Sequence, residues 1–190
     1  MADSNFFLKV ALCGDGAVGK TSLRNRFMGR GFREEHLMTI GADFATYDSE
    51  IDNQKITYQI WDLAGQDTFR TVRARFFRGA MGGLMVYDVT RPQSFKNITR
   101  WIEELWRNSG RGVIPIILLG NKADLRDSDS VAIEQAERYA QALTQKTKDR
   151  GFVVHHMETS AKTGLNVEDA FLQIGKQIKT GLEEGRMKLN

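Results

Sequence analysis

The chain has 190 residues, 41% of them hydrophobic and 27% charged, which suits one soluble globular domain and excludes a disordered chain. Twenty-seven basic against 24 acidic residues leave a formal net charge of +3, too small a surplus to point to nucleic acid or a membrane surface. A single cysteine, Cys13, excludes an intrachain disulfide and fits a reducing compartment; at the end of the run Leu8–Cys13 it reads as a small buried hydrophobe.

Phe6–Cys13 is a predicted strand, followed by a Gly-rich turn and a helix from Lys20 to about Met28. Two strands are expected over Ala42–Ile51 and Lys55–Asp62, around a hairpin-like turn at Asp52-Asn53. Gly83–Tyr87 reads as a buried strand. Gln93–Asn108 reads as a helix with Ile98, Trp101, Ile102, Leu105 and Trp106 near helical spacing. Val113–Leu119 is a further buried strand. Ser130 is placed to cap a helix from Val131 to about Lys148, with Glu134 near the position that supports such a cap. Phe152–His156 is the last strand, and Asn166 caps a final helix to about Lys179. Residues 1–180 make the domain, and Gly181–Asn190 is a polar tail expected to fray. Six strands alternating with helices imply an α/β fold: a doubly wound, mostly parallel six-stranded sheet with helices on both faces. Ligands in such folds bind at the carboxyl ends of the strands. No apolar run approaches the roughly 20 residues that span a bilayer, and the first residues show no signal-peptide pattern.

Every motif that carries chemistry directly follows a predicted strand. Gly14-Asp15-Gly16-Ala17-Val18-Gly19-Lys20-Thr21 fits G-x-x-x-x-G-K-[ST], the phosphate-loop pattern of P-loop NTPases. Glycines let the backbone wrap closely around phosphate oxygens, and the helix that follows, with Ser22 in its first turn, offers its positive end. Lys20 is assigned to the β- and γ-phosphates and the Thr21 hydroxyl to Mg²⁺. Asp62-Leu63-Ala64-Gly65-Gln66 supplies a strand-end carboxylate for Mg²⁺, a glycine whose N–H can face the γ-phosphate, and Gln66 to orient a water. In Asn121-Lys122-Ala123-Asp124 the carboxylate suits guanine, whose N1–H and exocyclic amine donate together where adenine has no such pair. Ser160-Ala161-Lys162 can present the Ala161 N–H to the guanine O6.

This ordered set, with Thr39 between its first two members, resembles the Ras-like small GTPases over nearly the whole chain. Within them it is most similar to the Rab branch, through Thr39-Ile40-Gly41-Ala42-Asp43-Phe44, Gln59-Ile60-Trp61-Asp62, Phe76-Phe77-Arg78-Gly79-Ala80-Met81-Gly82 and Val86-Tyr87-Asp88-Val89-Thr90. The resemblance implies GTP or GDP as bound nucleotide and Mg²⁺ as cofactor. It implies that Thr39 binds Mg²⁺ and senses the γ-phosphate, that Phe32 lies against the guanine, and that Lys122 lies along the base. It further implies that Phe44, Trp61 and Phe77 show the nucleotide state to effector proteins, and that activating and exchange factors act on the chain. His36 departs from the family by replacing an aromatic, Leu63 by replacing Thr and Asp67 by replacing Glu. The segment between Asp124 and Glu158 is longer than usual, and the chain ends without the cysteine of a prenylated tail, as in a truncated chain or a relative without the anchor. Ala2 excludes N-myristoylation, so a cytoplasmic protein is expected, reaching membranes only through partners or a missing tail.

The leading expectation is therefore a switch that hydrolyses GTP slowly, roughly 10⁻⁴ to 10⁻² per second, with no arginine obviously placed in the site. The alternatives are a nucleotide-locked interaction module with negligible hydrolysis, which Gly16 and Gln66 disfavour, and an ATP-using enzyme, which Asp124 disfavours.

Overall fold

The computed structural model describes residues 6–32 and 38–188. The strands are β1 (Phe6–Cys13), β2 (Ala42–Ile51), β3 (Gln54–Leu63), β4 (Gly82–Asp88), β5 (Ile116–Asn121) and β6 (His155–Glu158). They form a six-stranded sheet in the order β2-β3-β1-β4-β5-β6. Only the β2–β3 pair is antiparallel. It closes through Asp52 and Asn53, whose φ values of 51° and 61° suit a two-residue turn of the type that matches strand twist.

The helices are α1 (Lys20–Phe27), α2 (Arg70–Phe77), α3 (Pro92–Lys96), α4 (Ile98–Asn108), α5 (Ile133–Thr147) and α6 (Val167–Glu183). The pleat decides which of them covers which face. Consecutive residues of β4 point to opposite sides: a Cβ on Gly82 would meet Ile174 and Ile178 of α6, and one on Gly83 would meet Leu105 of α4. Hence α6, with α1 packed on it, covers one face, and α4, with α2, covers the other. The Tyr139 hydroxyl of α5 meets that of Thr99 on α4 at 2.7 Å, placing α5 on the α4 side. β4 is consequently buried along its whole length.

β1 is flanked by β3 on one side and β4 on the other, and the strand order runs outward from it in both directions, so the carboxyl end of β1 is the topological switch point. Register aligns the other carboxyl ends with it: Leu12 lies opposite Asp62, Asp88 opposite Asn121 and Gly120 opposite Glu158. The phosphate-loop pattern, the Asp62 segment, the Asn121 segment and the Ser160 turn therefore emerge along one edge.

Several boundaries differ from those read in the sequence. β5 starts at Ile116, because Pro115 has no N–H to give a ladder. Phe152 and Val154 are buried, but pairing begins only at His155; apolar character marked burial there, not hydrogen bonding. The helix expected over 93–108 is interrupted at Asn97. Ser130 does not cap α5; its hydroxyl donates to Asp127 at 2.8 Å in a turn before the helix. Asn166 holds the N-cap position of α6 in the left-handed region, but its side chain donates to the Glu158 carbonyl at 2.8 Å. At the other end α6 continues to Glu183, and Met187 folds back, buried, with its N–H on the Gly181 carbonyl at 2.8 Å. Among the described residues no helix is long and apolar enough to cross a membrane.

Candidate functional site

The loop from Gly14 to Gly19 connects β1 to α1 and winds around the Lys20 side chain. Lys20 is buried, and its Nζ donates to the carbonyls of Gly14 and Asp15, both at 2.8 Å. Burial pulls its pKa down to about 8, against the opposing pull of the Asp62 carboxylate. Asn121, at the end of β5, reaches across to donate from Nδ2 to the Val18 carbonyl at 2.8 Å. It passes over Gly19, whose Cβ, if present, would lie 2.3 Å from that nitrogen, and whose φ is +97°. Glycine is required there by both space and backbone conformation. The Asn121 Oδ1 in turn accepts from the Thr159 hydroxyl and the Ala161 N–H, each at 3.3 Å. One side chain thus ties the phosphate loop, its own loop and the Ser160 turn together. The Val18 side chain itself belongs to the core.

Thr21, Thr39 and Asp62 converge although they come from α1, the segment before β2 and β3. The Thr21 hydroxyl bonds Asp62 Oδ2 closely, and the Thr39 hydroxyl lies 3.1 Å from that of Thr21 and 3.4 Å from Asp62 Oδ2. Asp62 Oδ1 is buried without a hydrogen-bond partner, and burial raises the pKa of this carboxyl. A buried carboxylate oxygen left unpaired beside two hydroxyls is an all-oxygen donor set of the kind Mg²⁺ takes. Among the described residues no group of three or more His, Cys, Asp and Glu side chains converges, so a cation here would rely on hydroxyls and ligand oxygens as well as one carboxylate.

Thr21 and Thr39 line a cavity of about 230 Å³ with Gly16, Ala17, Gly19, Lys20, Ser22, Met38, Gly65 and Gln66, and Asp62 is bonded to both hydroxyls from behind that lining. Gly65 sits hard against the phosphate loop: a Cβ there would come within 2.3 Å of the Asp15 carbonyl carbon and of the Gly16 nitrogen. The Ala64 N–H donates to the Gly41 carbonyl at 2.9 Å, linking this segment to the chain just after Thr39. The Gln66 amide points into the same region, with Nε2 3.1 Å from the Met38 sulfur.

A second compartment, about 280 Å³, adjoins the first at Gly19 and Ser22 and is lined by Phe32, Asn121, Lys122, Asp124, Leu125, Ala161 and Lys162. The Ser160 hydroxyl donates to Asp124 Oδ1 at 2.5 Å, fixing the carboxylate while each of its oxygens keeps a lone pair for a ligand. Lys122 adopts φ 63° and pairs through Nζ with Asp88 at 2.7 Å, which lays its aliphatic stem along the compartment. Burial alone would raise the Asp88 pKa; hydrogen bonds from Lys122 and Thr90 outweigh it and hold the carboxyl below its usual range. Every residue assigned to nucleotide from the sequence is thus gathered at this edge, except that the Asp15 side chain turns away from the pocket. His36 lies outside the described residues.

A Ras family profile matches residues 9–180. Among curated proteins the chain is 43% identical to the Ras-related protein RABA1g of Arabidopsis thaliana over 176 residues, 93% of this chain and 76% of that one. It is 39% identical to RABA1i of the same plant over 188 residues, 96% of this chain and 82% of that one. To Rab11B of Nicotiana tabacum it is 40% identical over 176 residues, again 93% and 76%.

The chain belongs to the Ras family.

It is a Rab-like small GTPase: a GTP-binding switch that hydrolyses GTP. The nucleotide-locked reading finds no support in these relatives, nor does an ATP-using enzyme.

Several residues of this GTPase's site carry no sequence motif. Arg91, just after β4, donates to the Gly16 carbonyl at 2.8 Å and so braces the phosphate loop, although it is not among the residues that line either compartment. The Asp15 carboxylate accepts from Asn97 at 2.7 Å and from the Trp101 indole at 2.8 Å, anchoring the loop to α4. Only the long-range fold brings these together; the periodicity of the α4 sequence marked Trp101 as core and nothing more. The buried Cys13 is unreactive, since burial pushes its thiol pKa up.

The aromatic surface needs one correction. Phe44 is 56% exposed and stacks on Trp61 with ring centroids 5.2 Å apart, but Phe77 is fully buried in the core. Phe76 takes the third place, its ring 5.4 Å from Trp61. Adjacent residues on a helix differ in direction by about 100°, and docking of α2 turns Phe76, not Phe77, outward. Phe77→Ala should therefore destabilise the GTPase by about 3–5 kcal/mol, as removal of a core ring does. Phe44→Ala should change stability by less than about 1 kcal/mol. Chemical denaturation of both variants checks this; equal losses would mean that both rings are core.

Proposed function

We propose that the two adjoining compartments take one guanine nucleotide, with phosphates over Gly16–Ser22 and the base between Phe32, Lys122, Asp124 and Ala161. The observation that supports this most directly is the unpaired buried Asp62 Oδ1 beside Thr21 and Thr39 at the end of the phosphate loop. Thr21, Thr39 and Asp62 are the residues that would hold Mg²⁺, directly or through water. Mg²⁺ bound there supplies charge neutralisation on the β- and γ-phosphate oxygens.

Lys20, whose depressed pKa reflects an environment that disfavours an unpaired cation, gains counter-charge from the phosphates it neutralises. The Gly65 N–H faces the γ-phosphate because no side chain separates this segment from the phosphate loop. The Gln66 amide orients a water for in-line attack. Thr39 and Gly65 would both bind the γ-phosphate, so its loss removes a shared tie between the segments on either side of β2 and β3 and loosens the surface of Phe44, Trp61 and Phe76. That aromatic surface is the one effectors would read, as a Rab-like regulator of trafficking requires. Activating and exchange factors would act on the same segments.

Gln66→Leu tests this reading. Single-turnover hydrolysis should fall about tenfold or more with GTP affinity unchanged, because the amide positions water and makes no ground-state phosphate contact. Unchanged hydrolysis, with and without an activating factor, would falsify the role.

A further inference from the structure

Arg73, on α2, is fully buried. Its Nε and Nη2 donate to the two carboxylate oxygens of Glu104 on α4, at 2.9 and 3.0 Å. Its Nη1 donates to two backbone carbonyls, those of Ala64 at 2.8 Å and Gln66 at 3.0 Å. The guanidinium lies 4.1 Å from the ring centre of Trp101, whose indole N–H holds Asp15 of the phosphate loop.

A buried ion pair is not needed to fill this space. Apolar side chains of similar volume commonly replace such pairs without loss of stability. What an apolar pair does not provide is a donor to the carbonyls on either side of Gly65. Arginine suits the task because its planar fork serves the carboxylate and the carbonyls at once, with each donor direction set.

We infer that Arg73, fixed by Glu104, is a positioning residue for GTP hydrolysis: it holds the Ala64 and Gln66 carbonyls and so sets Gln66 relative to the phosphate loop. Trp101 and Glu104, one turn apart on α4, then serve as a common reference for both loops. The water-positioning amide and the phosphates it must face are referred to the same rigid helix. Misplacing a catalytic group by an ångström from a distance can cost about two orders of magnitude in rate. This inference rests on the water-orienting role of Gln66.

The test is the double variant Arg73→Met with Glu104→Met, which removes both charges together. It should unfold within about 10 °C of the wild type, the loss reflecting the Ala64 carbonyl left without its donor, and release GDP within about twofold of the wild-type rate. Its single-turnover hydrolysis should fall about tenfold or more, to the level of Gln66→Leu. Adding Gln66→Leu to the double variant should then lower hydrolysis no further, since the amide is already out of place. A role in stability alone gives the opposite pattern: hydrolysis recovers with the fold, and Gln66→Leu costs as much as in the wild type. Either of those results overturns the inference. Should the double variant fail to fold, Arg73→Lys decides: a single ammonium cannot hold both carboxylate oxygens and both carbonyls, so hydrolysis should fall while GDP release is unchanged, and wild-type hydrolysis overturns the inference. If Gln66→Leu alone leaves hydrolysis intact in the wild-type background, it is the role of Gln66 that fails, and that outcome is separate from the others.

Discussion

Asp124→Asn should lower the affinity for GTP on the order of 10⁴-fold, the scale on which a site built for a polar group rejects a partner that no longer matches it. On the proposed reading the carboxylate offers two acceptors to the N1–H and exocyclic amine of guanine. An amide in its place offers one acceptor and turns an N–H donor toward a donor. The Ser160 hydroxyl, 2.5 Å from Asp124 Oδ1, holds the side chain in one orientation, so the mismatch is not relieved by rotation. Xanthine carries a carbonyl where guanine carries the amine, and should regain much of the lost affinity in the variant. Titration of wild type and variant with GDP, its xanthine counterpart and ADP measures the exchange of preference. Wild-type protein that binds ATP as well as GTP would remove Asp124 from the base site.

Gly65→Ala should abolish the response to the γ-phosphate while leaving GDP in place. The added methyl would lie 2.3 Å from the Asp15 carbonyl carbon and the Gly16 nitrogen, and 2.6 Å from the Asp15 oxygen. These are backbone atoms, and the loop they belong to is pinned by Asn97, Trp101, Arg91 and Asn121. The loop cannot yield, so the segment carrying Gly65 and Gln66 must swing away. Loss of one preorganised donor to a transition-state oxygen commonly costs about 10²–10³ in rate. Hydrolysis should fall by about that factor, and GDP release should stay within about threefold, because the proposed site holds the diphosphate through the loop and Lys20. Single-turnover hydrolysis and GDP release measured on the same preparation separate the two effects. Normal hydrolysis by the variant would show that the close approach plays no part in the reaction.

Much of this protein was legible as a string of residues. The phosphate loop, the Asp62 segment, the Asn121 tetrapeptide and the Ser160 turn are contiguous, and their chemistry depends on backbone geometry that neighbouring residues impose. Alternating strands and helices dictated a doubly wound sheet, and that fold necessarily brings strand carboxyl ends to one edge. The hairpin turn at Asp52-Asn53 was likewise local. What the tertiary structure alone decided lies between residues far apart in the chain. Phe76 rather than Phe77 faces outward because the rotation of α2 is set by the surface it docks on, not by its own periodicity. The Asp15 carboxylate leaves the pocket because Asn97 and Trp101 await it 82 and 86 residues further on. Arg73 finds Glu104 and two carbonyls only after α2 and α4 have packed. A charged residue in an amphipathic stretch reads as solvated; burial reverses that, since desolvation makes the cation stable only where a carboxylate and carbonyls have already been assembled around it.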